Sequence, residues 1–261
     1  MSLFLHRVGL LSSSSGSFDP LDLGATLIAW YDANQETESD GATLTWADQS
    51  GNNWDQTGGS STVLLRHNYI NGKKAADYTA SYPTFWSSTS LSPSIMSGKT
   101  AGCYFAVARN ANDPTSDPMN GPILGNFGSA SRWPTTNGNI LEGFGTNSFK
   151  TVNPTPSLTS WRIYSAHSAA SDYRIYLDGT SIFSTGTNTV SFAVNTSPNN
   201  NRYFGDSEDR GNHFKGQIAE IIICDTVLST GDRQKVEGYL AHKWGLTGNL
   251  DISHPYKSSP P

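Results

Sequence analysis

Glu220 and Asp225 bracket an isoleucine run in the stretch KGQIAEIIICDTVLS. Two carboxylates on one strand are the equipment of glycoside hydrolysis. A retaining mechanism needs them about 5 Å apart, one as acid and one as nucleophile. Residues five apart on a regular strand point to opposite faces, so only a bulge would unite this pair. The expectation is therefore structural: Glu220 meets a polar partner at the sheet surface, and Asp225 begins a turn.

Other catalytic signatures are missing. The six histidines form no HExxH and no close pair. No G-x-S-x-G occurs, and Gly-rich pieces such as GNFGSAS lack the lysine of a phosphate loop. His242 is expected to face solvent.

Binding chemistry has more candidates. FGDSEDRGNHF gathers Asp206, Glu208, Asp209 and Asn212, oxygen donors of the kind calcium collects. The competing reading is a solvated acidic turn with Arg210 pairing locally. Asp113 and Asp117 form a weaker second set. For a sugar, a flat ring covers the apolar face while Arg and Asn serve the hydroxyls. Trp133 with Arg132, Asn137 and Asn139 fits that pattern in SASRWPTTNGN, and Tyr82 and Trp86 fit it in SYPTFWSS. Exposure is expected for Trp133, packing for Trp54 and Trp86. Trp30, Trp46, Trp161 and Trp244 fall in regular elements and are expected to pack.

These residues need a scaffold, and composition suggests one. The chain has 261 residues, 36% hydrophobic and only 15% charged, with 25 Gly and 13 Pro. Low charge and abundant turn formers favour many strands over helices. A net charge of −5 gives no reason to expect a nucleic-acid or membrane partner. Cys103 and Cys224 each lie in a strand pattern and are read as buried thiols.

Strands are expected at 25–33, 42–49, 74–79, 101–110, 160–168 and 173–179, and across KGQIAEIIICD. In 101–110, Cys103, Phe105 and Val107 share one face and Tyr104, Ala106 and Ala108 the other. The IIIC run does not alternate, so its strand should be covered on both sides. One helix is expected, in LSTGDRQKVEGYLAHKWG, capped by Ser229, stopped at Gly245, with Val236, Tyr239, Leu240 and Trp244 on its apolar face. The fold expected is an all-β, two-sheet antiparallel sandwich with one short C-terminal helix.

Residues 1–23 are expected to form a tail and Ser-rich joint, and residues 24–261 the body. Leu3, Phe4, Leu5, Val8, Leu10 and Leu11 make an apolar piece too small to fold alone. His6 and Arg7 interrupt it, which argues for an attachment peptide and against a signal sequence.

AWYDANQETESDGATLTWADQSGNNWDQTGG, SWRIYSAHSAASDYRIYLDGTSIF and FKGQIAEIIICDTVLSTGDRQKVEGYLAHKWGL with HPYKSSPP resemble concanavalin A-like, laminin-G-type jelly rolls. The likeness covers roughly residues 24–261. It implies a jelly roll with binding or structural duty more often than catalysis. Glucanases of that fold carry Glu-x-Asp-x-x-Glu or Glu-x-Asp-x-Glu on one strand. Here Ile222 replaces the middle Asp, and Cys224 or Asp225 stands at the last position. The resemblance also implies calcium at a sandwich rim in some members. The short tail is similar to those of phage virion proteins. It implies a non-enzymatic head fibre, tail fibre or decoration module, oligomeric, joined to other virion subunits and displaying a surface for a host glycan. The alternative is a bacterial secreted or surface carbohydrate-binding module.

Overall fold

A computed structural model describes residues 17–58, 63–79, 85–87, 95–112, 121–125, 127–192, 204–205 and 213–261. The strands are β1 (Leu27–Asp32), β2 (Gln56–Gly58), β3 (Leu64–Ile70), β4 (Lys73–Asp77), β5 (Phe85–Ser87), β6 (Ala101–Asn110), β7 (Ile140–Glu142), β8 (Lys150–Val152), β9 (Arg162–Ala169), β10 (Asp172–Leu177), β11 (Thr180–Thr185) and β12 (Gly216–Cys224). One helix, α1 (Thr230–Trp244), follows.

The fold is an all-β sandwich. Its large antiparallel sheet runs β11-β10-β9-β6-β12-β4-β3, with β1 also paired to β12. Two small sheets, β2-β5 and β7-β8, and the loops around them form the second layer.

Each face of the large sheet has its own core. Tyr104, Ala106, Ala108, Ile221 and Ile223 pack against Trp133, Ile140 and Phe144 of the second layer. Cys103, Phe105, Val107, Ile222 and Cys224 pack beneath Val236, Leu240 and Trp244 of α1. The alternation in β6 matches the sequence expectation residue by residue. β12 is buried along its whole length, with one core on either side, which explains an isoleucine run without polar interruption.

α1 begins and ends where its chemistry dictates. The Ser229 hydroxyl accepts from Asp232 N–H at 3.1 Å, and Gly245 closes the helix in the left-handed conformation. A Cβ at Gly245 would lie 2.5 Å from Asn71 Nδ2. Each large side chain the helix buries contributes on the order of 1.5–3 kcal/mol, so docking rather than intrinsic propensity holds it.

The closing segment folds back over the helix. His254 is buried, with Nε2 3.1 Å from Glu237 Oε2, and Lys257 Nζ donates to the Thr247 carbonyl at 3.1 Å. His242 departs from expectation: it is half-buried, with Nε2 2.9 Å from the Tyr256 carbonyl oxygen. Residues 42–49 also depart, making isolated bridges at Thr43 and Trp46 but no strand. β3 had no counterpart in the expected strands.

Candidate functional site

Glu220 is fully buried under α1, so its placement at the sheet surface is corrected. The register of β12 against β6 slips between Ile218 and Glu220. That bulge puts Ala219 and Glu220 both on the helix side. From Glu220 to Cys224 the register is regular, and Asp225 pairs instead with Lys99 at 2.7 Å. The acid facing Glu220 is Asp32, its cross-strand partner on β1.

Lys243 Nζ lies between them, 2.7 Å from Asp32 Oδ2 and 2.8 Å from Glu220 Oε2. Trp30 Nε1 donates to Glu220 Oε1 and Trp244 Nε1 to Oε2, each at 2.6 Å, and Tyr239 OH donates to Oε1 at 2.9 Å. The Lys243 ammonium also lies within 5.6 Å of the Trp30, Tyr239 and Trp244 ring centroids. Burial raises the Glu220 carboxyl above the usual range, while Lys243 opposes the shift. Every oxygen of Glu220 is committed, so the arrangement pins helix to sheet.

A second buried acid, Glu142 on β7, sits in the other core. Tyr104 OH and Tyr164 OH donate to its Oε2 at 2.7 and 2.9 Å, and Phe144 N–H donates to Oε1 at 2.9 Å. Burial raises its carboxyl, and the tyrosine hydrogen bonds oppose that. It ties the second layer to the large sheet.

The surface with binding chemistry lies on β3, β4, β6 and β12. β3 loses register against β4 between Arg66 and Ile70. Asn68 takes a positive φ of 55° there, and His67 N–H, freed from the ladder, donates to Asp40 Oδ1 at 2.8 Å. Within this irregular stretch of β3, Tyr69 is 37% exposed. The Arg109 guanidinium stands 5.7 Å from the Tyr69 ring centroid and 5.4 Å from that of the half-buried Trp161.

A polar row runs beside the rings. Arg109 Nε donates to Gln217 Oε1 at 2.8 Å, Gln217 Nε2 to Asp77 Oδ1 at 3.0 Å, and Arg66 Nε to Asp77 Oδ2 at 3.2 Å. Tyr69 thus offers an exposed ring next to the Arg109 guanidinium, which the buried Gln217 and Asp77 hold in place. Such a set suits a ligand with both apolar faces and hydroxyls.

The sequence-derived sugar site is taken apart by the structure. Trp133 is 1% exposed, its ring 5.8 Å from Tyr164 and 6.0 Å from Phe214. Arg132 is buried too, bridged to Leu141 through the backbone, with its guanidinium donating to the Ser131 carbonyl at 2.7 Å. Asn137 is exposed and accepts from the Thr135 hydroxyl. Trp133 and Arg132 are core residues, because the large sheet's tyrosines need aromatic cover that this loop supplies. Trp54 packs at the edge of the same core, as expected. Trp86 lies on β5 opposite Thr57, its side chain outside the described residues. Tyr82 also lies outside them, as do Asp113, Asp117, the calcium candidates Asp206, Glu208, Asp209 and Asn212, and the attachment residues 3–11.

Tyr69 was missed by the sequence reading. Its signal was the Asn71–Gly72 pair, both at positive φ, which marks the hairpin that β3 enters. Near the chain's entry into the body, Phe18 N–H donates to the Pro261 carbonyl at 2.9 Å. A cavity of about 460 Å³ lined by Phe18, Leu23, Leu228 and Pro261 opens beside them.

No family model and no curated protein matches the chain. Solved structures do. A mutant Trypanosoma rangeli sialidase displaying trans-sialidase activity is 10% identical, with a TM-score of 0.51 over 84% of this chain and 33% of that one. Trypanosoma rangeli sialidase in complex with sialic acid is 11% identical, with a TM-score of 0.50 over the same shares. Domain 4 of a GH43 extracellular arabinanase from Geobacillus stearothermophilus, in complex with arabinotriose, is 15% identical, with a TM-score of 0.47 over 79% of this chain and 95% of that one. The chain spans about a third of the length of the sialidases it matches. The expectation that the chain is no enzyme is overturned by this finding, since the structures sharing its fold at these scores are sialidases. What is common to them and this chain is the β-sandwich.

Proposed function

We propose that this chain is a glycan-binding β-sandwich of the concanavalin A-like kind, and that the ligand stacks on Tyr69 beside Arg109 and Trp161. The observation carrying this reading is the irregular stretch of β3, where an exposed aromatic ring stands next to a fixed guanidinium. Behind it, the buried Gln217 and Asp77 fix the guanidinium in place. The sialidase that shares the fold binds sialic acid, which supports a sugar as the ligand class.

We further propose that residues 3–11 attach the module to a larger particle such as a virion. Support comes from the apolar residues Leu3, Phe4, Leu5, Val8, Leu10 and Leu11, a piece too short to fold alone, and from Phe18, whose N–H is held by the Pro261 carbonyl where the body begins. Copy number in purified particles tests this part: symmetric occupancy is expected, and loss of the tail should abolish it.

A glycan array probed with the full chain and with Tyr69→Ala, each with and without EDTA, tests the binding reading. Binding by the full chain that the variant loses is expected. A chain that binds nothing, or a variant that binds equally well, overturns it. Sensitivity to EDTA would implicate calcium at the loop containing Asp206 and Asp209.

A further inference from the structure

His167, Cys103 and Cys224 stand in one row across three adjacent strands. β9 pairs His167 with Cys103, and β12 pairs Cys224 with Cys103. Both thiols are free, fully buried and on the helix side of the sheet. Directly opposed residues of an antiparallel pair have Cα atoms about 4.5–5.5 Å apart, within the span that a disulfide bridges. Their side chains leave the same face, into the core beneath α1.

We propose that Cys103 and Cys224 are a redox bolt, closed by a peroxide into a cross-strand disulfide that fastens β6 to β12. The oxidant class follows from burial, because a peroxide is small enough to reach thiols that a bulky disulfide reagent cannot. Cys103 is the attacking sulfur. Burial alone would push its thiol up, but the hydrogen bond from Cys224 and the His167 imidazole bring it below the ordinary range. Cys224 is pushed up by the same hydrogen bond and by burial.

The chemistry balances in two steps. The Cys103 thiolate attacks hydrogen peroxide, the O–O bond breaks, and hydroxide leaves with the thiol's former proton as water. Cys103 is then a sulfenic acid. The Cys224 sulfur displaces its hydroxyl, forming S–S and breaking S–O, and the second water carries off the Cys224 proton. Two thiols give up two electrons and one peroxide accepts them.

The test treats the folded chain with hydrogen peroxide, quenches, unfolds and alkylates. Both thiols should be lost to alkylation and both restored by a thiol reductant. The bridge closes a loop of roughly 120 residues and should raise Tm by about 10 °C. Cys224→Ala should stop at the sulfenic acid, trapped by dimedone present in the unfolding step. A non-reducing digest of the natural chain, which needs no variant, should link the two cysteine peptides. Two alkylatable thiols after treatment, a loss that reductant cannot reverse, or unlinked peptides would overturn the proposal.

Discussion

Asp32 and Glu220 face each other across β1 and β12 and share a single cation, the Lys243 ammonium, 2.7 and 2.8 Å away. Both carboxylates are fully buried, and the lysine is nearly so. Removing one partner from a buried ionic group leaves uncompensated charge and costs about 3–5 kcal/mol. Lys243→Met is therefore expected to destabilise the chain by about that amount, read from urea denaturation midpoints. Lys243→Arg should recover only part, because a planar fork does not fit between three aromatic rings.

Trp133 fills the core between Tyr164 and Phe214. Trp133→Ala should cost about 3–5 kcal/mol of stability and leave glycan affinity per folded molecule unchanged. Thermal unfolding and a binding titration on the same sample separate the two effects.

Tyr69 carries the opposite expectation. Tyr69→Ala removes a ring that is 37% exposed together with its Arg109 contact, so Tm should fall by only about 2–4 °C. Glycan affinity should fall about tenfold, on the order of 1.4 kcal/mol. Arg109→Ala should weaken binding as well and also loosen the sheet, since its Nε holds Gln217. Isothermal titration with an array-identified sugar measures both.

Glu36 gives a pH signature. Burial, with Glu38, Asp32 and Asp55 nearby, pushes its carboxyl up to about 7, against the hydrogen bond from Ala47 N–H. A folded-state value raised above the ordinary 4.5 favours the protonated folded state. The contribution is fully present below pH 4.5 and is lost as pH rises through about 7. Glu36→Gln keeps the acceptor for Ala47 and should flatten the fall in stability across that window. Denaturation midpoints measured at intervals over it decide the matter.

Much of the scaffold was legible because its signals are local. The unbroken Ile221–Ile223 run announced a strand covered on both faces, and Ser229 with Gly245 announced the limits of α1. The alternation of Cys103 to Ala108 separates the two cores from sequence alone. The site was not legible for a physical reason. Exposure of an aromatic depends on register, and a bulge shifts register without changing composition. No strand is expected over residues 64–70, so nothing assigns Tyr69 to a face, and its exposure follows only from the irregular stretch where Asn68 sits at positive φ. Trp133, flanked by Arg132 and Pro134, reads as a loop residue, although the loop tucks beneath Tyr164. Glu220 was misplaced because its partners, Trp30 and Trp244, come from opposite ends of the sequence.

The hydrogen bond from Phe18 to Pro261 makes the body nearly a closed ring. A short peptide could join those two residues, and new termini could be opened at the exposed Ala170–Ser171 turn without cutting any strand. Such a circular permutant should fold to the same architecture. The body could then be spliced into a surface loop of an unrelated carrier as a plug-in cassette, entering and leaving through one narrow neck.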